Sequence, residues 1–88
     1  MEIEFDPAKN TRNIEQRGIF FEWVESFEFE TAVIRLDLRQ QYGEPRFNAI
    51  GYIGNRLYHL TFTLRADKIR VISLRKANRR EVKRYAET

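Results

Sequence analysis

From Thr31 to Arg75 the apolar residues of this chain recur at every second position, in runs separated by turns of only a few residues. In "TAVIRLDL", Ile34, Leu36 and Leu38 alternate with Arg35 and Asp37, the pattern of a half-buried strand. "QQYGEP" breaks that run. "RFNAIGYI" and "RLYHLTFTL" flank Gly54-Asn55, which suits a two-residue hairpin turn, and "RADK" leads into "IRVISLR". Strands joined so tightly pair antiparallel, because a parallel pair needs a crossover of about a dozen residues or more. The spacing therefore predicts an antiparallel meander.

Helical signals bracket it. "IEF" reads as a short first strand, after which Asp6 suits a helix N-cap and Pro7 its first turn, where no N–H is needed. A helix is expected from Pro7 to Arg17, closed by Gly18 in the left-handed conformation. In "IFFEWVESFEFE", Phe20, Val24 and Phe27 fall at helical spacing with Phe21 and Trp23 alongside, predicting a second short helix. At the other end, Asn78 and Glu81 form a capping-box pattern ahead of a last helix whose expected buried stripe is Val82, Tyr85 and Ala86. The expected order is β-α-α-β-β-β-β-α, an α+β fold with helices on one face of an antiparallel sheet. Its 88 residues suit one small domain, 1–88, around a single modest core.

Composition narrows the chemistry. The chain has no Cys and one His, so it offers neither a disulfide framework nor a thiolate, and too few soft ligands for a zinc site. There is no Gly-rich phosphate loop, no Ser-His-Asp set and no metal-ligand spacing, so neither cofactor nor metal is expected. The acidic start "MEIEFDPAKN" is unlike a signal peptide, and no apolar run approaches the roughly 18 residues of a membrane span; a cytoplasmic location is expected. Charge is unevenly placed: residues 1–44 sum to −5 and residues 45–88 to +8. The second half can present a positive field to a polyanion, and the first can meet a basic partner.

Alternation separates the sheet faces. Tyr58, Leu60, Phe62 and Leu64 point one way, and His59, Thr61, Thr63 and Arg65 the other. If Ile72 and Leu74 join the core, Ser73 and Arg75 share the polar face with Thr63 and Arg65. Two guanidinium groups projecting from neighbouring strands can grip a phosphate and stabilise charge during phosphoryl transfer; the alternative is that Arg65 and Arg75 only cap strand ends in solvent. His59 lies on this polar face, where a lone strand His is ordinarily structural. The last helix carries Arg79, Arg80, Lys83 and Arg84, which read either as a solvated face or, beside an Arg-bearing sheet, as a surface for a ribose-phosphate chain.

"FDPAKNTRNIEQRGIFFEWV", "YGEPRFNAIGYIGNRLYHLTFTLR" and "RVISLRKANRREVKRY", in this order, resemble the BrnT family of bacterial type II toxins. The resemblance spans nearly the whole chain. It implies a RelE-like fold, metal-independent endoribonuclease activity that stops translation and growth, an RNA substrate, and a BrnA-like DNA-binding antitoxin that covers the basic face or packs on its neighbouring helices. The positions that match the family's motif residues are Lys9, Glu44, Arg46, Arg65, Arg75, Arg80 and Tyr85. The expected catalytic set is Arg65, Arg75, Lys9, Glu44 and Tyr85, and with the basic residues at and after the last strand the expected RNA-binding set is Arg46, Lys76, Arg79, Arg80 and Lys83. Arg65 and Arg75 would neutralise the pentavalent phosphate, while Lys9, Glu44 and Tyr85 would carry protons. Where family members often have Lys-His before the glycine, this chain has Gln16 and Arg17, and Phe5 stands where Trp is common. The alternative is a non-catalytic nucleic-acid-binding or antitoxin-binding module that uses the same basic face.

Overall fold

The computed structural model describes residues 2–39 and 43–88; the expected break at "QQYGEP" falls partly on residues 40–42, outside them. Five strands, β1 (Ile3–Phe5), β2 (Val33–Leu36), β3 (Phe47–Ile53), β4 (Arg56–Arg65) and β5 (Lys68–Lys76), form one sheet in the order β1-β5-β4-β3-β2. The β2 to β5 meander is antiparallel, as its short turns require. The sheet as a whole is nevertheless mixed, which corrects the antiparallel expectation: β1 pairs parallel to β5, with Ile3 opposite Ile69 and Phe5 opposite Val71. The whole chain between β1 and β5 serves as the crossover that a parallel pair needs.

Local signals hold well at the helices. In α1 (Pro7–Arg17) the Asp6 carboxylate accepts the Ala8 N–H at 2.9 Å, and Gly18, at φ 70°, donates its N–H to the Ile14 carbonyl. Polar side chains anchor this helix. The Asn13 amide donates to the carbonyls of Ile19 and Leu74, and Asn10 Oδ1 accepts the Phe21 N–H. In α2 (Arg79–Ala86) the capping box forms in full: Asn78 accepts from the Glu81 N–H, and Glu81 accepts from the Asn78 N–H. No helix among the described residues is long and apolar enough to cross a membrane.

The expected second helix is replaced by two short 3₁₀ helices, Phe21–Ser26 and Phe29–Thr31. A 3₁₀ helix has three residues per turn, so Phe21, Val24 and Phe27 line up on one side and are buried, while Phe20 turns outward. They cover a core built on Ala49, Leu60 and Leu74, each with no exposed surface. Burying a Leu side chain stabilises by about 1.5–3 kcal/mol, so this one cross-strand row does much to hold the sheet to its cover. Gly51 is required beneath it, because a Cβ there would stand 2.6 Å from the Phe27 ring.

Three expectations about faces fail, each for a tertiary reason. A bulge at Thr61/Phe62 inserts an extra residue in β5, so Val71 opposes Phe62 and enters the core in place of Ile72, and Arg70 passes to the polar side opposite Thr63. On β2 the apolar set Ile34, Leu36 and Leu38 is exposed, and Asp37 between them is buried. In α2 the inward residue is Glu81, while Val82 and Ala86 are exposed. The helices also do not share one face. The 3₁₀ segment covers the Leu60 side, whereas α2 lies over the other, its Tyr85 ring meeting Tyr52 edge-on at 5.5 Å.

Candidate functional site

The sheet face beneath α2 is built in rows. Across β5, β4 and β3 stand Arg75, His59 and Ile50, then Ser73, Thr61 and Asn48. Arg70 and Thr63 follow, then Lys68 and Arg65. Hydroxyl and amide groups tie the middle rows: Thr61 donates to Asn48 Oδ1 at 2.8 Å, and Thr63 donates to the Pro45 carbonyl.

The first row carries the tightest polar cluster. Arg75 donates two hydrogen bonds to the Glu81 carboxylate, at 2.9 and 2.8 Å, a bidentate geometry that fixes the guanidinium plane. His59 Nε2 lies 3.8 Å from Glu81 Oε2, and its Nδ1 is buried with no hydrogen-bond partner among the described residues. Burial pushes the His59 pKa below its ordinary value, and the charges of Arg75 and Arg39 push the same way against the opposing pull of Glu81. The imidazole is therefore neutral at pH 7. Burial works to raise the Glu81 pKa, but the Arg75 hydrogen bonds, the Asn78 amide and the neighbouring charges outweigh it and hold the carboxyl at about 2. Glu81 is thus an anion that orients a cation beside a neutral base.

Next to this cluster a cavity of about 200 Å³ opens between β2, β3 and α2, lined by residues that include His59, Asn48, Asp37, Arg39 and Arg84. Arg39 closes on Asp37 through hydrogen bonds of 3.0 and 2.8 Å, which hold the Asp37 carboxyl well below the usual carboxylate range. The cavity thus combines cationic groups, a carboxylate engaged by Arg39, a neutral imidazole and an amide. Such a set can bind a phosphodiester, neutralise added charge and accept a proton.

The expected residues are dispersed. Arg65 and Arg75 share the polar face as alternation required, but not the same end of it. Six residues of β4 separate Arg65 from His59, the residue opposite Arg75, or about 20 Å at roughly 3.3 Å per residue. Arg65 instead meets Glu44 at 3.3 Å, with both side chains largely in solvent. Arg46 precedes β3, and its backbone carbonyl accepts the Asp37 N–H. Lys9 is exposed on α1, outside the Arg75, His59 and Glu81 contacts. Lys76 ends β5 opposite Tyr58, and Arg79, Arg80 and Lys83 line the outer surface of α2. Tyr85 is half-buried one helical turn beyond Glu81. Arg17 donates to Asn13 Oδ1 at 2.6 Å and so braces the amide that joins α1 to β5.

Sequence reasoning left His59 and Glu81 aside. Both carried a readable signal: His59 is the only imidazole and falls on the polar strand face, and Glu81 is the acid of a capping box five residues after the strand that bears Arg75. Neither signal says that α2 folds back over β4.

The family model for BrnT, the ribonuclease toxin of type II toxin-antitoxin systems, matches residues 5–81. The chain belongs to the BrnT family. Its members are ribonuclease toxins, so the polar face belongs to an RNA-cleaving enzyme, in preference to a module that only binds. RNA is the substrate class, and a type II system supplies an antitoxin partner. The matched span takes in His59, Arg75 and Glu81 and ends before Arg84 and Tyr85. No curated protein matched the chain.

Proposed function

We propose that this BrnT toxin cleaves RNA at the α2 end of the polar face, with His59 and Arg75 as catalytic residues and Glu81 as the positioning residue. The observation that carries the reading is the neutral His59 set beside an Arg75 guanidinium locked by Glu81. In this mechanism the ribose 2′-OH attacks the adjacent phosphorus and passes its proton to His59. The P–O5′ bond then breaks, giving a 2′,3′-cyclic phosphate and a 5′-OH, whose proton comes from Tyr85. Tyr85 follows Glu81 by four residues and so sits on the same side of α2. Arg75 keeps donors for the phosphate, because guanidinium has five N–H groups and its hydrogen bonds to the Glu81 carboxylate and the Lys76 carbonyl engage three. Arg84, at the rim of the His59 cavity, adds a second cation.

In this reading Arg65 and Arg46, with Arg79, Arg80, Lys83 and Lys76, bind phosphates further along the RNA and add salt-sensitive affinity. Glu44 positions Arg65 instead of carrying a proton, and Lys9 has no part in the chemistry. The mechanism needs no metal, the fold is RelE-like, and the antitoxin is a BrnA-like DNA-binding protein. Cleavage takes place in the cytoplasm, stopping translation and growth. The test is cleavage of a defined single-stranded RNA in excess chelator, with product ends identified. Wild-type protein should yield cyclic phosphate ends, and His59→Ala and Arg75→Ala should not. Full activity in either variant overturns the site, and loss of wild-type activity on chelation overturns the metal-free mechanism.

A further inference from the structure

Among the described residues β2 is the outer strand of the sheet and pairs only with β3, so none of them pairs with its other edge. The Asp37 N–H bonds inward to the Arg46 carbonyl, and by antiparallel alternation the backbone groups of Ile34 and Leu36 point outward. The same two residues expose their side chains, 44% and 50%, and Leu38 beyond them is 82% exposed. Leu64, half exposed two strands away, lies on this face too, because it alternates with Leu60 and Phe62. Stable proteins ordinarily blunt an edge with charge, Pro or a bulge, and an apolar edge left bare is a template for another strand.

The flanking charge says what kind of strand. Residues 18–34 contain four Glu and no Lys or Arg, and Glu22, Glu25, Glu28 and Glu30 are all exposed. Three of them, with Phe27, Phe29 and Ile3 of β1, line a cavity of about 380 Å³ along the 3₁₀ segment that leads into β2. A second copy of this chain would bring the same carboxylates and repel. We infer that the β2 edge and its acidic flank are the docking surface for a strand of the protein antitoxin that alternates apolar residues with Lys or Arg. Such a strand extends the sheet by main-chain hydrogen bonds to Ile34 and Leu36, lays its apolar side against Ile34, Leu36 and Leu38, and meets the glutamates with its basic side chains. Ile34 and Leu36 alternate onto the side of the sheet opposite His59, while Leu36 and Leu38 also border the His59 cavity, so a strand docked here reaches the rim of the RNA site.

The test uses the full chain and the antitoxin encoded with it. Leu36→Lys, Leu38→Lys and the double variant Glu25→Lys/Glu28→Lys should each weaken antitoxin binding at least tenfold by calorimetry, and the glutamate variant, whose residues lie outside the His59 cavity, should leave RNA cleavage by the free toxin unchanged. Leu38 is almost fully in solvent, so Leu38→Lys remains informative if Leu36→Lys lowers folding. Hydrogen exchange at the Ile34 and Leu36 amides should slow in the complex. Unchanged affinity in Leu38→Lys and in the glutamate variant, or unchanged exchange at those amides, overturns the inference. So does self-association of the free toxin that Leu36→Lys abolishes, because the edge would then pair two copies. Arg75→Ala separates this inference from the catalytic reading, since it should impair cleavage and leave antitoxin affinity intact.

Discussion

Two arginine-glutamate pairs stand at opposite ends of one sheet face, and they are built differently. Arg75 and Glu81 join by two hydrogen bonds under 3 Å, with the Glu81 side chain 11% exposed and shared with a helix cap and an imidazole. Arg65 and Glu44 meet at a single 3.3 Å contact, with side chains 52% and 39% exposed. The first pair is held by three elements, so its geometry is set before any ligand arrives. The second is a solvated contact of the kind that contributes about 0–1 kcal/mol. The same residue types on the same strand face thus divide into a preorganised site and an adaptable binding contact.

Breaking the first pair should give the largest effects. His59→Ala should lower RNA cleavage about 10²–10⁴-fold, the usual contribution of a positioned proton acceptor, measured as single-turnover rate on a defined RNA. Arg75→Ala should cost about 10²-fold or more by the same assay. If both variants keep wild-type rates while Arg65→Ala does not, the assignment of the two ends is reversed.

A smaller effect falls on stability. Glu81→Gln removes an anion that caps α2 and orients Arg75, and it should destabilise by about 1–3 kcal/mol in denaturant titration. The pH dependence has a definite sign. The folded pKa of Glu81 is depressed from 4.5 to about 2, so its stabilisation is present above pH 4.5 and is lost as pH falls toward 2. The difference between wild type and Glu81→Gln should shrink across that window, and a constant difference would refute the ionic role. His59 shifts in the same sense: its folded pKa lies below 6.5, so the cleavage rate should fall on acidification only below that value.

The smallest effects sharpen the contrast from the other end. Arg65→Ala should change stability by no more than about 0.5 kcal/mol and reduce cleavage less than tenfold. Its signature should appear in salt dependence, where losing one phosphate contact lowers the slope of binding against salt by about 1. A wild-type slope would remove Arg65 from the RNA path.

Much of the fold was legible because its signals are local. Asp6, Pro7 and Gly18 mark both ends of α1, Asn78 with Glu81 marks the start of α2, and the alternation of β4 separates Leu60 from His59. The ordered motifs also pointed to the BrnT family. The site was less legible. Alternation put Arg65 and Arg75 on one face but carried no register, so it could not show that β4 pairs Arg75 with His59 and leaves Arg65 opposite Lys68. The face of β2 was misread because alternation does not tell which side has a cover. Ile34 and Leu36 follow the core period, yet the 3₁₀ segment stops short of them.

By itself the sequence determined where elements begin, end and turn, and which residues share a strand face. Those properties depend on groups within about four residues of one another, through caps, glycine conformations and side-chain alternation. Only the tertiary structure decided the parallel docking of β1, the bulge that exchanges Val71 for Ile72, and the return of α2 over β4 that brings Glu81 to Arg75 and His59. These depend on pairing between segments far apart in the chain, where the winning register is the one that buries Leu60, Leu74 and Val71 together.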